Sequence, residues 1–133
     1  MSSRPDSATG QHPATVVVVD DNETNLLLLR RILARRPGLD AQYETDGRRG
    51  LELIRKYRPD LVLLDLNLPS MDGETIVREL RSHPATAATP ILVISGDATT
   101  ETKQRLHEAG VNDYLEKPLR IQALLDAINR ILR

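Results

Sequence analysis

The chain has no cysteine, phenylalanine or tryptophan, and its only aromatic residues are three tyrosines in 133 residues. Without thiols there is neither a disulfide framework nor a thiolate metal site. Without Phe and Trp the core must be built from Leu, Ile, Val and Ala, and stacking platforms for single-stranded nucleic acid are missing. Net charge is also scarce: 18 Lys and Arg against 19 Asp and Glu leave a formal −1. That gives no long-range attraction to nucleic acid or anionic lipid. No apolar run approaches the roughly 20 residues needed to span a bilayer, and the start Met1-Ser2-Ser3-Arg4-Pro5 lacks an apolar signal core. A soluble, cytoplasmic chain is the expectation. Hydrophobic residues make up 40% of the sequence, enough for one domain with a real core.

Residues 1–14 are almost devoid of apolar side chains and are expected to form a disordered polar tail, leaving 15–133 as the folded domain. There strand-like runs alternate with helical patterns. Strands are predicted at 15–20, 40–45, 61–65, 90–95 and 111–115, and helices at 24–36, 47–57, 72–82, 99–109 and 119–132. Runs 16–19, 61–64 and 91–94 are unbroken Val, Leu and Ile, as interior strands of a parallel sheet require. The second and fifth strands are half polar and suit edges. Right-handed crossovers then favour a doubly wound α/β fold with strand order 2-1-3-4-5. In the first helix Leu28, Leu29, Ile32 and Leu33 are read as the core stripe, leaving Leu26 and Leu27 over. In the last, the stripe is Ile121, Leu124, Leu125, Ile128 and Leu132.

Ligands of such sheets lie beyond the carboxyl ends of the strands. Asp20 and Asp21 follow the first strand, Asp65 ends the third, and Lys117 follows the fifth. Clustered carboxylates repel one another unless a hard divalent cation joins them, and the lysine asks for a further anion. Carboxylate, metal and anion together are the chemistry of phosphoryl transfer. Asp72 reads as a helix cap, and His12, His83 and His107 are isolated, with no metal spacing.

Asp20-Asp21, Asp65, Ser95-Gly96 after the fourth strand and Lys117-Pro118 resemble, in order and spacing, a response-regulator receiver domain with a flavodoxin-like, CheY-like (βα)5 fold. The resemblance spans about Val16 to Ile131. It implies Asp65 as phosphoacceptor and Mg²⁺ as cofactor, held by Asp21, Asp65, the Asn67 carbonyl and, through water, Asp20. Lys117 and Ser95 would stabilise the transferring phosphoryl group, the backbone of Asn67 and Gly96 would approach it, and Ser95 and Tyr114 would form the switch. It further implies a cis bond before Pro118 and water access to the phosphoryl group controlled by Asn67 and Asp97. The implied function is a phosphorylation-dependent switch of a two-component system. It catalyses its own phosphorylation and dephosphorylation without being an enzyme in the ordinary sense. Its partners would be a histidine kinase or histidine phosphotransfer protein and an output protein, with a phosphorylation-linked homodimer as a further option.

Three rival readings fit parts of the same sequence. A haloacid-dehalogenase-type phosphatase needs an acid two residues after its nucleophile, where Asn67 stands. A nucleotide-binding domain needs a glycine-rich or GKS/T turn after Val19, where Asp20-Asp21 would repel phosphate. A pseudo-receiver that binds partners without phosphorylation is the runner-up, disfavoured by the complete acid, hydroxyl and lysine set. A stand-alone receiver without membrane segment or DNA-binding domain is expected, since helix five ends the chain, with a receiver cut from a hybrid histidine kinase as the alternative.

Overall fold

In β1 (Ala14–Val19), β3 (Leu61–Asp65) and β4 (Ile91–Ser95), unbroken β-branched and leucine runs leave no polar face for water. Such strands are stable only when covered on both sides. The computed structural model, which describes residues 13–96 and 99–132, places them at the centre of one parallel sheet of order β2-β1-β3-β4-β5. The edges are β2 (Leu39–Glu44) and β5 (Asp113–Glu116), both half polar. The tail expected over 1–14 and the reading of His12 lie outside the described residues, apart from Pro13 and Ala14. His83 and His107 are exposed.

Side-chain alternation divides the core between the two faces of the sheet. Val16, Val18, Leu61, Leu63, Leu92 and Ile94 pack under α1 (Glu23–Leu33) and α5 (Ile121–Leu132). Val17, Val19, Val62, Leu64, Ile91 and Val93 pack under α2 (Gly47–Tyr57), α3 (Gly73–Arg81) and α4 (Thr100–Ala109). Among the described residues no helix is long and apolar enough to cross a membrane.

Helix starts follow local chemistry. Asn22, Asp46, Asp72 and Thr99 each cap a helix by accepting a hydrogen bond from the backbone N–H three residues on. Asp72 is therefore the cap its position suggested.

Two helical stripes differ from the expected ones. In α1 the buried residues are Leu26, Leu29, Ile32 and Leu33, whereas Leu28 is 40% and Leu27 52% exposed. Four consecutive leucines carry no period, so they cannot fix the rotation of the helix; the sheet and α5 do, drawing Leu26 into the cluster that holds Ile128. In α5 the fully buried residues are Leu124, Ala127 and Ile128, and Ile121 is 40% exposed at the first helical position. Strand β5 begins at Asp113, two residues later than expected. Before it, the Asn112 side chain occupies the ladder, its Oδ1 accepting from the Ile91 N–H at 2.7 Å.

Candidate functional site

The ends of β1, β3 and β5 bring Asp20, Asp21, Asp65 and Lys117 together. A carboxylate oxygen from each of the three acids lies within 4.8 Å of the others. Asp20 and Asp65 are buried, 3% and 5% exposed, while Asp21 faces solvent. Lys117 Nζ donates to Asp65 Oδ2 at 3.3 Å and stands 4.0 Å from Asp20 Oδ2. The peptide between Lys117 and Pro118 is cis, as the resemblance implied. Just before it, the Lys117 N–H donates to the Ser95 carbonyl at 2.9 Å, tying the lysine's backbone to the end of β4.

Each buried acid also accepts hydrogen bonds from its own loop. Asp65 Oδ1 takes the Asn67 N–H at 3.2 Å. Asp20 takes the Asn22 N–H at 2.9 Å and the Asn25 side-chain amide at 3.4 Å. Burial nevertheless pushes the Asp20 carboxyl above its ordinary value. The bond from Asn22 opposes that rise, the charge of Asp65 adds to it, and Lys117 and Asn25 oppose it more weakly. The crevice therefore holds more negative charge than its one ammonium balances. An all-oxygen donor set with uncompensated charge fits a hard divalent cation of the Mg²⁺ type.

The loop after Asp65 is fixed by close backbone approach. A Cβ on Gly73 would stand 2.5 Å from the Asp65 carbonyl oxygen and 2.7 Å from Leu66 Cα, so the start of α3 closes on the end of β3 only with glycine there. Gly73 N–H also donates to the Leu66 carbonyl at 2.9 Å. Asn67, exposed, projects from this loop. Ser95 is completely buried at the end of β4, and Gly96 is exposed beyond it. A Cβ on Gly96 would meet nothing within 4 Å, so crowding is not the reason for glycine at that position. Asp97 lies outside the described residues.

Sequence reading left two contributors unassigned. Asn25 holds Asp20 from one helical turn away, a role visible only once α1 is known to start at Glu23. Leu28, expected in the core, instead lines a recess beside Asp20 and Lys117.

The whole arrangement lies inside a stretch, residues 16–129, that matches the family model described as the response regulator receiver domain. The chain belongs to that receiver family. It is 28% identical over 120 residues to the polar-differentiation response regulator DivK of Brucella anthropi, covering 90% of this chain and 97% of that one. Identity to the response regulator MprA of Mycolicibacterium vanbaalenii is 36% over 121 residues, covering 91% of this chain but 51% of the relative. The chain thus spans nearly all of one relative and about half the length of others. Among solved structures, a putative response regulator from Chloroflexus aurantiacus superposes with a TM-score of 0.83 at 36% identity, covering 90% of this chain and 98% of that one. The chemotaxis response regulator CheY4 of Vibrio cholerae gives 0.82 at 29%, with the same coverage.

On the side of this receiver remote from α1, Tyr114 in β5 packs against the α2–α3–α4 core, and its hydroxyl oxygen is buried. Lys103 of α4 lies over the ring, 5.5 Å from its centroid, and pairs with Glu116 at 3.0 Å. The ring is thus held between the core and a cationic side chain of the neighbouring helix.

Proposed function

We propose that Asp65 is the phosphoacceptor of a two-component signalling switch that takes a phosphoryl group from the phosphohistidine of a histidine kinase or histidine phosphotransfer protein. The supporting observation is the buried Asp65 carboxylate, with Lys117 Nζ at 3.3 Å and two further carboxylates beside it. Asp21, Asp65 and the Asn67 carbonyl would hold Mg²⁺ directly and Asp20 through water, and the bound ion would neutralise the crevice and the transferring oxygens. Asp65, pinned by the Asn67 N–H and by Lys117, presents a carboxylate oxygen to phosphorus with little freedom to turn away. Lys117, 3.3 Å from Asp65, is the cation that would meet charge developing on the transferring group, with the Ser95 hydroxyl and the Asn67 and Gly96 backbone as further donors.

Signalling output follows from Ser95 and Tyr114. When Ser95 turns toward the acyl phosphate, the ring and its Lys103 cover re-adjust, and the face made by α4, β5 and α5 changes shape. On the opposite side α1 begins at the crevice through its Asn22 cap and carries the exposed Leu27, which we assign to docking of the phosphodonor protein. A receiver segment within a sensor kinase is the second reading. It is supported by 33% identity over 125 residues to the autoinducer 2 sensor kinase/phosphatase LuxQ of Vibrio vulnificus, of which the match covers 14%.

Intact-mass spectrometry after incubation with acetyl phosphate and Mg²⁺ tests the assignment. One phosphoryl adduct is expected, absent in Asp65→Asn and suppressed by excess EDTA. An adduct that persists in Asp65→Asn moves the acceptor elsewhere.

A further inference from the structure

Residues 66–72 connect β3 to α3, and one of them, Asn67, carries the carbonyl proposed as a donor for Mg²⁺. Toward the crevice this loop is fixed by the Asn67 N–H, which donates to Asp65 Oδ1 at 3.2 Å, and by the Gly73 N–H, which donates to the Leu66 carbonyl at 2.9 Å. Its far side is fixed on α2. Gly47, the buried first residue of that helix, lies so close to the loop that a Cβ there would collide with the Met71 carbonyl and stand 3.2 Å from that of Pro69. Ser70 completes the join. Its hydroxyl oxygen accepts from the Arg48 N–H at 3.2 Å, one of the donors that a first helical turn leaves without a partner inside the helix. The same hydroxyl donates to the Asp46 cap, whose carboxyl is held below its ordinary value first by the Arg49 N–H and then by Ser70. Ser70 makes these bonds at φ 61°, where glycine or asparagine would sit with less strain.

Folding alone does not call for this join. Asp46 already caps α2 through the Arg49 N–H, and Leu66, Leu68 and Met71 already pack the loop against the same core that buries Leu51 and Ile54 of α2. What Ser70 adds is a fixed backbone just past Asn67. We infer that Ser70 is a positioning residue for the cation: clamped to the first turn of α2, it holds the loop so that the Asn67 carbonyl is ready for an ion held by Asp21 and Asp65. The inference rests on the Mg²⁺ reading and adds to it a residue that touches neither the ion nor the phosphoryl group. Mg²⁺ demands near-ideal octahedral geometry at about 2.0–2.1 Å, so a carbonyl on a loose loop has to be ordered as the ion binds, and that ordering subtracts from affinity. Ca²⁺ takes more oxygens, at longer and less regular positions, and depends less on where one carbonyl stands. The clamp therefore acts on selectivity as well as on affinity.

The test is titration calorimetry with Mg²⁺ and with Ca²⁺ on the native protein, Ser70→Gly and Ser70→Asn, with melting temperatures in EDTA as the measure of the fold alone. Ser70→Gly loses the hydroxyl but also relieves the strained backbone, so its melting temperature should stay within a few degrees of native. Its Mg²⁺ affinity should fall by about tenfold, the lower end of the range for groups that orient metal ligands from behind. Its Ca²⁺ affinity should fall by about twofold or less. Ser70→Asn keeps an oxygen for the Arg48 N–H and an amide N–H for Asp46, on a backbone angle asparagine tolerates, and should bind Mg²⁺ within about twofold of native. Native-like Mg²⁺ affinity in Ser70→Gly, an equal loss for both ions, or no recovery in Ser70→Asn overturns the inference and leaves Ser70 a fastener of the fold. Native protein that binds no Mg²⁺, or Asp21→Asn that binds it as tightly as native, removes the metal reading itself.

Discussion

Arg58 shows how a single residue can carry a cost that neither composition nor period announces. It caps α2 at φ 45° and ψ 64°, a left-handed conformation that crowds any Cβ. Pro59 disfavours the right-handed helical region for the residue before it, so the helix has to stop here, and glycine would be the default at such a stop. Arg58 is exposed, and no hydrogen bond or ion pair of its side chain with a described residue accounts for its place. Arg58→Gly is expected to stabilise the protein by about 1 kcal/mol, read as a higher denaturant midpoint at unchanged slope. A lower midpoint would mean that the arginine side chain contributes more than its backbone costs. Ser70 repeats the pattern at φ 61°, but there the hydroxyl accepts from the Arg48 N–H at 3.2 Å and links the loop after Asp65 to the start of α2. Neither position was legible in the sequence, because both depend on how a chain turns between elements. The acids and Lys117 were legible because their chemistry is costly without one another.

At the scale of elements, what could be read depended on whether a segment carried a period. The three interior strands, built from Val, Leu and Ile, fixed their own type and place. Helix α1 fixed its type but not its phase, since Leu26 to Leu29 look alike from every direction; the sheet chose Leu26 and left Leu27 and Leu28 outside. That outcome bears on the proposed docking role of α1. A leucine that is 52% exposed contributes little to folding, and surface substitutions away from special features stay within about ±0.5 kcal/mol. Leu27→Ser should therefore leave the melting temperature and acetyl phosphate labelling near those of the native protein, while slowing transfer from a phosphohistidine-bearing partner several-fold. Unchanged transfer from that partner would place the docking surface elsewhere. A melting temperature lower by several degrees would instead return Leu27 to the core.

For the whole molecule, the strand order was inferred from which strands can tolerate burial on both faces, and that order alone carries Asp20, Asp21 and Asp65 into one crevice at the point where the crossovers diverge. Stability and function then pull against each other at Asp20. Its carboxyl is raised, first by burial and further by Asp65, so above its folded pKa the ionised group penalises the native state. As pH falls through that value the native state binds a proton before the unfolded chain does, and the penalty is relieved. Asp20→Asn removes the charge at every pH while leaving an amide oxygen able to accept from the Asn22 N–H. In EDTA at neutral pH the variant should therefore melt above the native protein, with the difference shrinking as the solution is acidified. Mg²⁺ should reverse the ranking. A cation that binds only the folded state adds about 2.7 kcal/mol at a hundredfold excess over its Kd, and the variant has given up one of the acids proposed to hold it. Calorimetric scans in EDTA and in saturating Mg²⁺ read both effects on the same samples. If Mg²⁺ raises the melting temperature of native protein and Asp20→Asn equally, Asp20 is not part of the cation site. If the variant melts lower in EDTA, the repulsion in the crevice is outweighed by the bonds its carboxylate makes to Asn22 and Asn25.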